Sequence, residues 1–421
     1  MNPFNETPLS MDKVLRSWKE LYPAPYDKRT VDPYTRTRVI LMNGTEFEQV
    51  WFSHQFSRHC TNNDLRREIA LLRRAEQQQQ KYISCLKPAD ETILEHTIGY
   101  EQLAVDLTAA LAKMVPCQNT KNALDFALLE DFDHLYRYAD LMDMETGEAA
   151  EKLVGGYTEI MPGRPTIAEH RHPFDSIRLY ADDKNAALIT KLAANIITAA
   201  EQQTMNYYMN VATLYPTDMG RKLYQEIGMI EEQHVTHYGS LLDPRPTWLE
   251  CLLMHQYTEC YLYYSCMENE CDERIRTIWE RMFEEEVAHL HFAANLLKNY
   301  EGTDWQEVIP GGEFPELLAL GSNIDYVRKV LSSQVELTAL REDYVPIHQL
   351  PENSDYQLYQ SIVCSDVNAV PSHNVISDYI ARYGTDYRFE TQPNPIEALQ
   401  NRKADNITVG RKTAAAPLRT K

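Results

Sequence analysis

Residues 201–234 read EQQTMNYYMNVATLYPTDMGRKLYQEIGMIEEQH. Glu201 opens the stretch, Glu231 stands thirty residues later, and His234 follows one turn on. Pro216 and Gly220 break the run into two helical halves. Ile197, Glu201, Met205 and Tyr208 recur at helical spacing on the first half. Ile227, Glu231, His234, Tyr238 and Leu241 do so on the second. A carboxylate and a His at i, i+3 share one helix face. Here that face is otherwise apolar, so the spacing predicts two antiparallel helices with their acids and imidazole turned inward. Buried carboxylates are costly unless a cation or a proton neutralises them.

The pattern extends to both sides. One hundred residues earlier, Glu101 is followed by Asp131 and His134 at the same offsets. Further on, Glu286 and His289 repeat the close, with Gln256 thirty residues before Glu286 and Glu259 one turn beyond Gln256. Leu94, Ile98, Glu101, Val105 and Thr108 form a stripe, as do Leu124, Ala127, Asp131, His134 and Tyr138. Leu252, His255, Glu259 and Leu262 form another, and Met282, Glu286, His289 and Ala293 the last. Pro116, Pro244 with Pro246, and Asp272 mark the breaks. The expected fold is therefore all-α: a core over 90–300 built from three helical hairpins, at about 90–142, 184–242 and 247–299. Residues 1–89 read as an N-terminal extension with one helix, 63–86, capped by Asn63 or Asp64. Its QQQQ run reads as a solvated face. Residues 301–421 read as a C-terminal extension with one helix near 322–342 and, from about 393, a disordered tail ending RKTAAAPLRTK. The connection 143–183 is long for a loop and for that reason a candidate for function.

The formal charge of −21 argues against nucleic acid or an anionic membrane as a partner. No apolar run reaches the roughly 18 residues of a membrane span, and MNPFNETPLSMDK has no secretory pattern. The eight cysteines include no CxxC pair and read as reduced thiols of a cytoplasmic protein. The paired glycines Gly155-Gly156 and Gly311-Gly312 lack a dinucleotide fingerprint, so no nucleotide cofactor is expected.

Two acids plus two acid-x-x-His pairs on four helices supply six ligands for two metal ions. Oxygen-rich sets with some imidazole suit iron first, manganese second, and zinc as a competitor. Ligand vectors must converge, which requires the two acid–His helices to run antiparallel. The short link at 242–247 makes those of the second and third hairpins parallel, whereas the long 143–183 connection can reverse direction. The expected metal ligands are therefore Glu101, Asp131, His134, Glu201, Glu231 and His234. Glu259, Glu286 and His289 form an alternative or additional set, completed by the first hairpin or by a second copy in a homodimer. Glu130, Asp133, Glu232, Glu284 and Glu285 read as solvated charges. Tyr207, Tyr208, Tyr261, Tyr263 and Tyr264 read as core aromatics, and His170 and His172 as surface-loop histidines. His255 is a candidate partner of Glu259, while His237 and His291 should point away.

The segment 256–290, QYTECYLYYSCMENECDERIRTIWERMFEEEVAHL, and the register from Glu201 through Tyr208 to EEQH at 231–234 resemble the ferritin-like superfamily, most closely its rubrerythrin branch. The resemblance spans about 90–300. It implies a carboxylate-bridged dimetal bundle and redox chemistry on dioxygen or peroxide, with a small-molecule oxidant or substrate as the partner. The chain departs from the branch in lacking a cysteine-ligated iron module, in Gln256 at a usual glutamate position, and in Asp131 for glutamate. The alternatives are a non-catalytic metal-binding or iron-handling protein, and a helical interaction protein with a decayed site.

Overall fold

The computed structural model describes residues 1–164, 169–384, 394 and 396–400. It is predominantly helical, with one two-stranded antiparallel sheet among the described residues. The long helices are α1 (Pro33–His59), α2 (Asn63–Ser84), α3 (Ile93–Met114), α4 (Gln118–Thr146), α5 (Leu188–Leu214), α6 (Asp218–Gly239), α7 (Trp248–Asn269) and α8 (Glu273–Glu301). After them come α9 (Ile324–Gln334), β1 (Leu337–Leu340), β2 (Asp343–Pro346), α10 (Asp355–Val363) and α11 (Pro371–Tyr383). Among the described residues no helix is long and apolar enough to cross a membrane.

Helix starts follow local chemistry. Asp32 caps α1, with Pro33 in the first turn. Asn62, rather than Asn63 or Asp64, caps α2 by accepting from the N–H groups of Asp64 and Leu65. Thr92 with Glu95 and Thr247 with Glu250 form capping boxes on α3 and α7. Gly147 and Gly302 end α4 and α8 at φ of 72° and 78°, a conformation that disfavours residues with a Cβ.

Two compact units emerge. The first comprises Met1–Glu91, Ala181–Gln203 and Leu242–Leu320. In it the α1–α2 hairpin meets the α7–α8 hairpin, α1 against α7 and α2 against α8. Its core includes Ile69, Leu72, Leu252, Leu262, Trp279 and Leu290. Gly44 allows a close crossing inside this unit, since a Cβ there would lie 2.8 Å from the Gln203 amide. The second comprises Thr92–Tyr180, Thr204–Leu241 and Gly321 onward. There α3 pairs with α4, α4 meets α6, and α11 lies against both α4 and α6. Ile98, Val105, Leu124, Leu128, Ile227 and Tyr238 are among its buried side chains. Burial contributes about 1.5–3 kcal/mol per large apolar side chain before chain entropy is counted.

The six helices expected from about 90 to 300 are present within a few residues of their expected ends. The extensions differ. Residues 1–89 hold two long helices, not one, and these are integral to the first unit. Residues 301–400 hold several short helices and the β1–β2 hairpin, which begins inside the segment read as one helix. The expected disorder of the tail concerns residues that, from 401 on, lie outside the described ones.

Candidate metal centre

In the second unit, α3 and α4 present Glu101, Asp131 and His134, and α6 presents Glu231 and His234. Glu201 lies on α5, in the stretch that belongs to the first unit, and is likewise buried. Within the second unit, Asp131, Glu231 and His234 offer ligand atoms within 4.8 Å of one another, and so do Glu101, His134 and Glu231. Glu231 is common to both groups. These six side chains are at most 1% exposed, so water does not stabilise their charges.

Both imidazoles are aimed the same way. His134 Nδ1 lies 3.0 Å from Glu231 Oε1, and His234 Nδ1 lies 3.0 Å from Glu231 Oε2 and 3.2 Å from Asp131 Oδ1. Each opposite nitrogen meets a further carboxylate: His134 Nε2 is 3.3 Å from Glu169, and His234 Nε2 is 2.6 Å from Glu130. Acids that grip the far nitrogen orient a ring whose near nitrogen can ligate. The Tyr208 hydroxyl donates to Glu101 Oε1. Among the described residues, Asp131 Oδ2 and Glu101 Oε2 have no hydrogen-bond partner. These oxygens, the Glu231 carboxylate and the two Nδ1 atoms are the donor set that a pair of divalent cations takes.

The electrostatics without metal are those of protons standing in for cations. Burial pushes Glu101 and Asp131 above the usual carboxylate range, with the Glu231 charge adding to the effect. Burial opposes the positive forms of His134 and His234. The carboxylates outweigh it: Glu169 and Glu231 for His134, Asp131 and Glu231 for His234, so both rings are raised well above ordinary histidine. Burial works against the Glu231 charge too, yet His234 and His134 hold its carboxyl well below the usual range.

Outside the candidate ligands lies a layer of buried charge. Arg171 Nη1 is 2.6 Å from Glu130 Oε1, and Arg164 Nη1 is 3.6 Å from the same oxygen. Asp133 pairs with Arg137 at 2.8 Å. The arginines 164 and 171 and Glu169 come from the long 143–183 connection. It lies directly on α4, where Gly163 donates to Asp133 at 3.0 Å and Arg164 N donates to Leu129 O at 3.2 Å. A Cβ at Gly163 would sit 2.8 Å from two backbone atoms of α4, so this approach requires glycine.

Several sequence expectations need correction. Glu130, Asp133 and Glu285 are buried, not solvated, while Glu232 and Glu284 are exposed. His170 is buried and pairs with Glu226 at 3.1 Å. His172 caps a short helical turn by accepting from Phe174 N. His255 faces Glu48 at 3.1 Å rather than Glu259. Tyr208 and Tyr263 are core aromatics that also hold carboxylates. His237 turns to the Ala123 carbonyl. Glu259, Glu286 and His289 assemble in the first unit with Glu46 and Glu76, which sequence reasoning missed. A signal was present: Glu76 follows Glu46 by thirty residues, the offset of the other hairpins. Glu169 had no such signal, because no periodicity governs a loop.

No family model matches the chain, and no curated protein or solved structure matches it either.

Proposed function

We propose that the chain is a ferritin-like dimetal-carboxylate protein akin to the rubrerythrin branch, and that it acts as an oxidoreductase on dioxygen or peroxide. Glu101, Asp131, His134, Glu231 and His234 of the second unit would hold two ions, iron in preference to manganese or zinc. The observation that carries the reading is that both buried rings turn Nδ1 toward the shared Glu231 while Glu169 and Glu130 grip their far sides. A merely structural cluster has no need of two rings oriented alike. The ions, when bound, supply redox electrons and coordination positions open to an oxidant. The chain's own part is to keep this set dry, to hold both rings by their Nε2 atoms, and to donate the Tyr208 proton to Glu101. Burial of every ligand favours a reactant the size of dioxygen or peroxide over a bulky one.

The test is anaerobic loading with iron(II) followed by oxygen. The wild type should develop an oxygen-dependent optical band. His134→Ala and His234→Ala should each abolish most of it, and His289→Ala should leave most of it. Iron bound without any oxygen-dependent change would favour the iron-handling alternative. Loss of the band in His289→Ala alone would move the reaction to the first unit.

A further inference from the structure

The first unit carries its own convergence of ligands, from four helices. α1 presents Glu46, α2 Glu76, α7 Glu259, and α8 Glu286 with His289. All five side chains are at most 1% exposed. Their ligand atoms form two groups, each within 4.8 Å: Glu76, Glu286 and His289, and Glu46, Glu76 and Glu259. Glu76 is common to both, as Glu231 is in the second unit.

The surroundings supply ring and carboxylate orientation but little positive charge. His289 Nδ1 lies 3.2 Å from Glu76 and 3.1 Å from Glu286. The Tyr263 hydroxyl donates to Glu46, and Gln256 Nε2 donates to Glu259 at 2.8 Å. Nearby arginines are engaged elsewhere: Arg16 with Glu285, Arg36 with Glu91, Arg38 with Glu270. Among the described residues, one oxygen each of Glu46, Glu76, Glu259 and Glu286 has no hydrogen-bond partner. Four buried acceptor atoms in one cluster are costly unless something positive neutralises them.

We infer that the first unit holds a second pair of metal ions, joined by Glu76, one on Glu76, Glu286 and His289 and the other on the oxygen-only set Glu46, Glu76 and Glu259. The two units then carry inequivalent centres. The second unit places an imidazole in each ligand group, whereas the first has one imidazole for two positions. Oxygen-only sets suit hard ions such as manganese(II), and lack the nitrogen donor that zinc favours. The position on Glu46, Glu76 and Glu259 should be the weakest for zinc of the positions in the chain.

The experiment uses the full chain, stripped with chelator and loaded with manganese(II) or with zinc. Wild type should take up about four manganese ions per chain, two per four-helix set. Glu76→Gln, nearly isosteric, should lose the first-unit pair. Glu259→Gln should lose only the oxygen-only ion, which guards against a folding defect in the first variant. In Glu231→Ala combined with His234→Ala, the first-unit pair should remain and give the spectrum of two interacting manganese ions. Zinc should fill the oxygen-only position last. Unchanged manganese content in both Glu76→Gln and Glu259→Gln would overturn the inference. Loss of metal confined to the second-unit variant would overturn it too. Failure of the second-unit reading would appear differently, as wild-type uptake limited to the ions that Glu76→Gln removes.

Discussion

Glu130 lies beside a proposed ligand and is not itself among the proposed set. It is one residue before Asp131, and its Oε2 is 2.6 Å from His234 Nε2. Burial acts against its charge, but Arg171 and His234 hold the carboxyl well below the usual range. A full negative charge on the far side of the ring makes Nδ1 a better donor and fixes its direction. Glu130→Gln keeps the shape and removes the charge. Metal affinity at the second-unit centre should fall by about 10-fold or more, with the number of ions at saturation unchanged. Competition against a chelator of known strength measures it. An unaltered affinity would mean that packing alone orients His234.

At the scale of elements, the 143–183 connection acts as a wall rather than a tether. It covers a face of α4 and delivers Arg164 and Arg171 to Glu130, and Glu169 to His134. All four of these charged groups are at most 1% exposed. Removing one member of a buried charge pair leaves the other uncompensated, at about 3–5 kcal/mol. Arg171→Ala should destabilise the metal-free protein by that order in urea unfolding. Adding Glu130→Gln should restore part of the loss, since the stranded charge is then gone. If the double variant is no more stable than Arg171→Ala, the arginine acts through packing on Phe126, whose ring centroid lies 5.2 Å from its guanidinium.

For the whole molecule, the proposed metal ions would compete with protons for the same atoms. His134, His234 and His289 are raised above their ordinary 6.5: burial opposes their charge, and the surrounding carboxylates prevail. Their contribution to folding is complete below the unfolded value and fades as pH rises through the folded one. Glu46, Glu101, Glu169 and Glu259 are raised by burial above 4.5, and burial with Glu76 pushes Glu286 to about 7. These acids also favour the fold at low pH and cease to as they ionise. Glu130 and Glu231 are lowered and act oppositely, contributing above 4.5 and losing that as pH falls. The chelator-treated protein should therefore lose thermal stability as pH rises from about 4.5 through about 7, as Glu286 and the other raised acids ionise, and further above 6.5 as the histidines lose their protons. Metal-loaded protein should hold its melting temperature over that range, because ions replace the protons and bind more tightly as pH rises. Parallel melts with and without zinc test this. A metal-free protein whose stability rises through neutral pH would show that its carboxylates are already ionised and paired.

Helix positions were legible because their causes are local. The thirty-residue offset, the 3.6-residue stripe and the Pro and Gly breaks are local signals, and α3 to α8 appear within a few residues of where those signals place them. α1 was not legible, because it buries polar residues alongside apolar ones: Val39, Ile40, Leu41 and Met42 are covered, and so are Thr35, Arg36, Thr37, Arg38, Glu46 and Gln49. A periodicity rule counts such residues as solvent-facing. Glu130 and Asp133 were misread for the same reason, since the sequence of α4 carries no sign of the loop that covers its outer side. Which hairpins face one another was likewise beyond local reading. The residues of the α7–α8 hairpin are compatible with several partners, and the structure supplies Glu46 and Glu76 from a hairpin two hundred residues earlier. By itself the sequence determined which acids and imidazoles share a helix face and at what depth. Tertiary structure decided which faces meet and which charges lose their water, because burial depends on what covers a residue and not on the residues next to it in the chain.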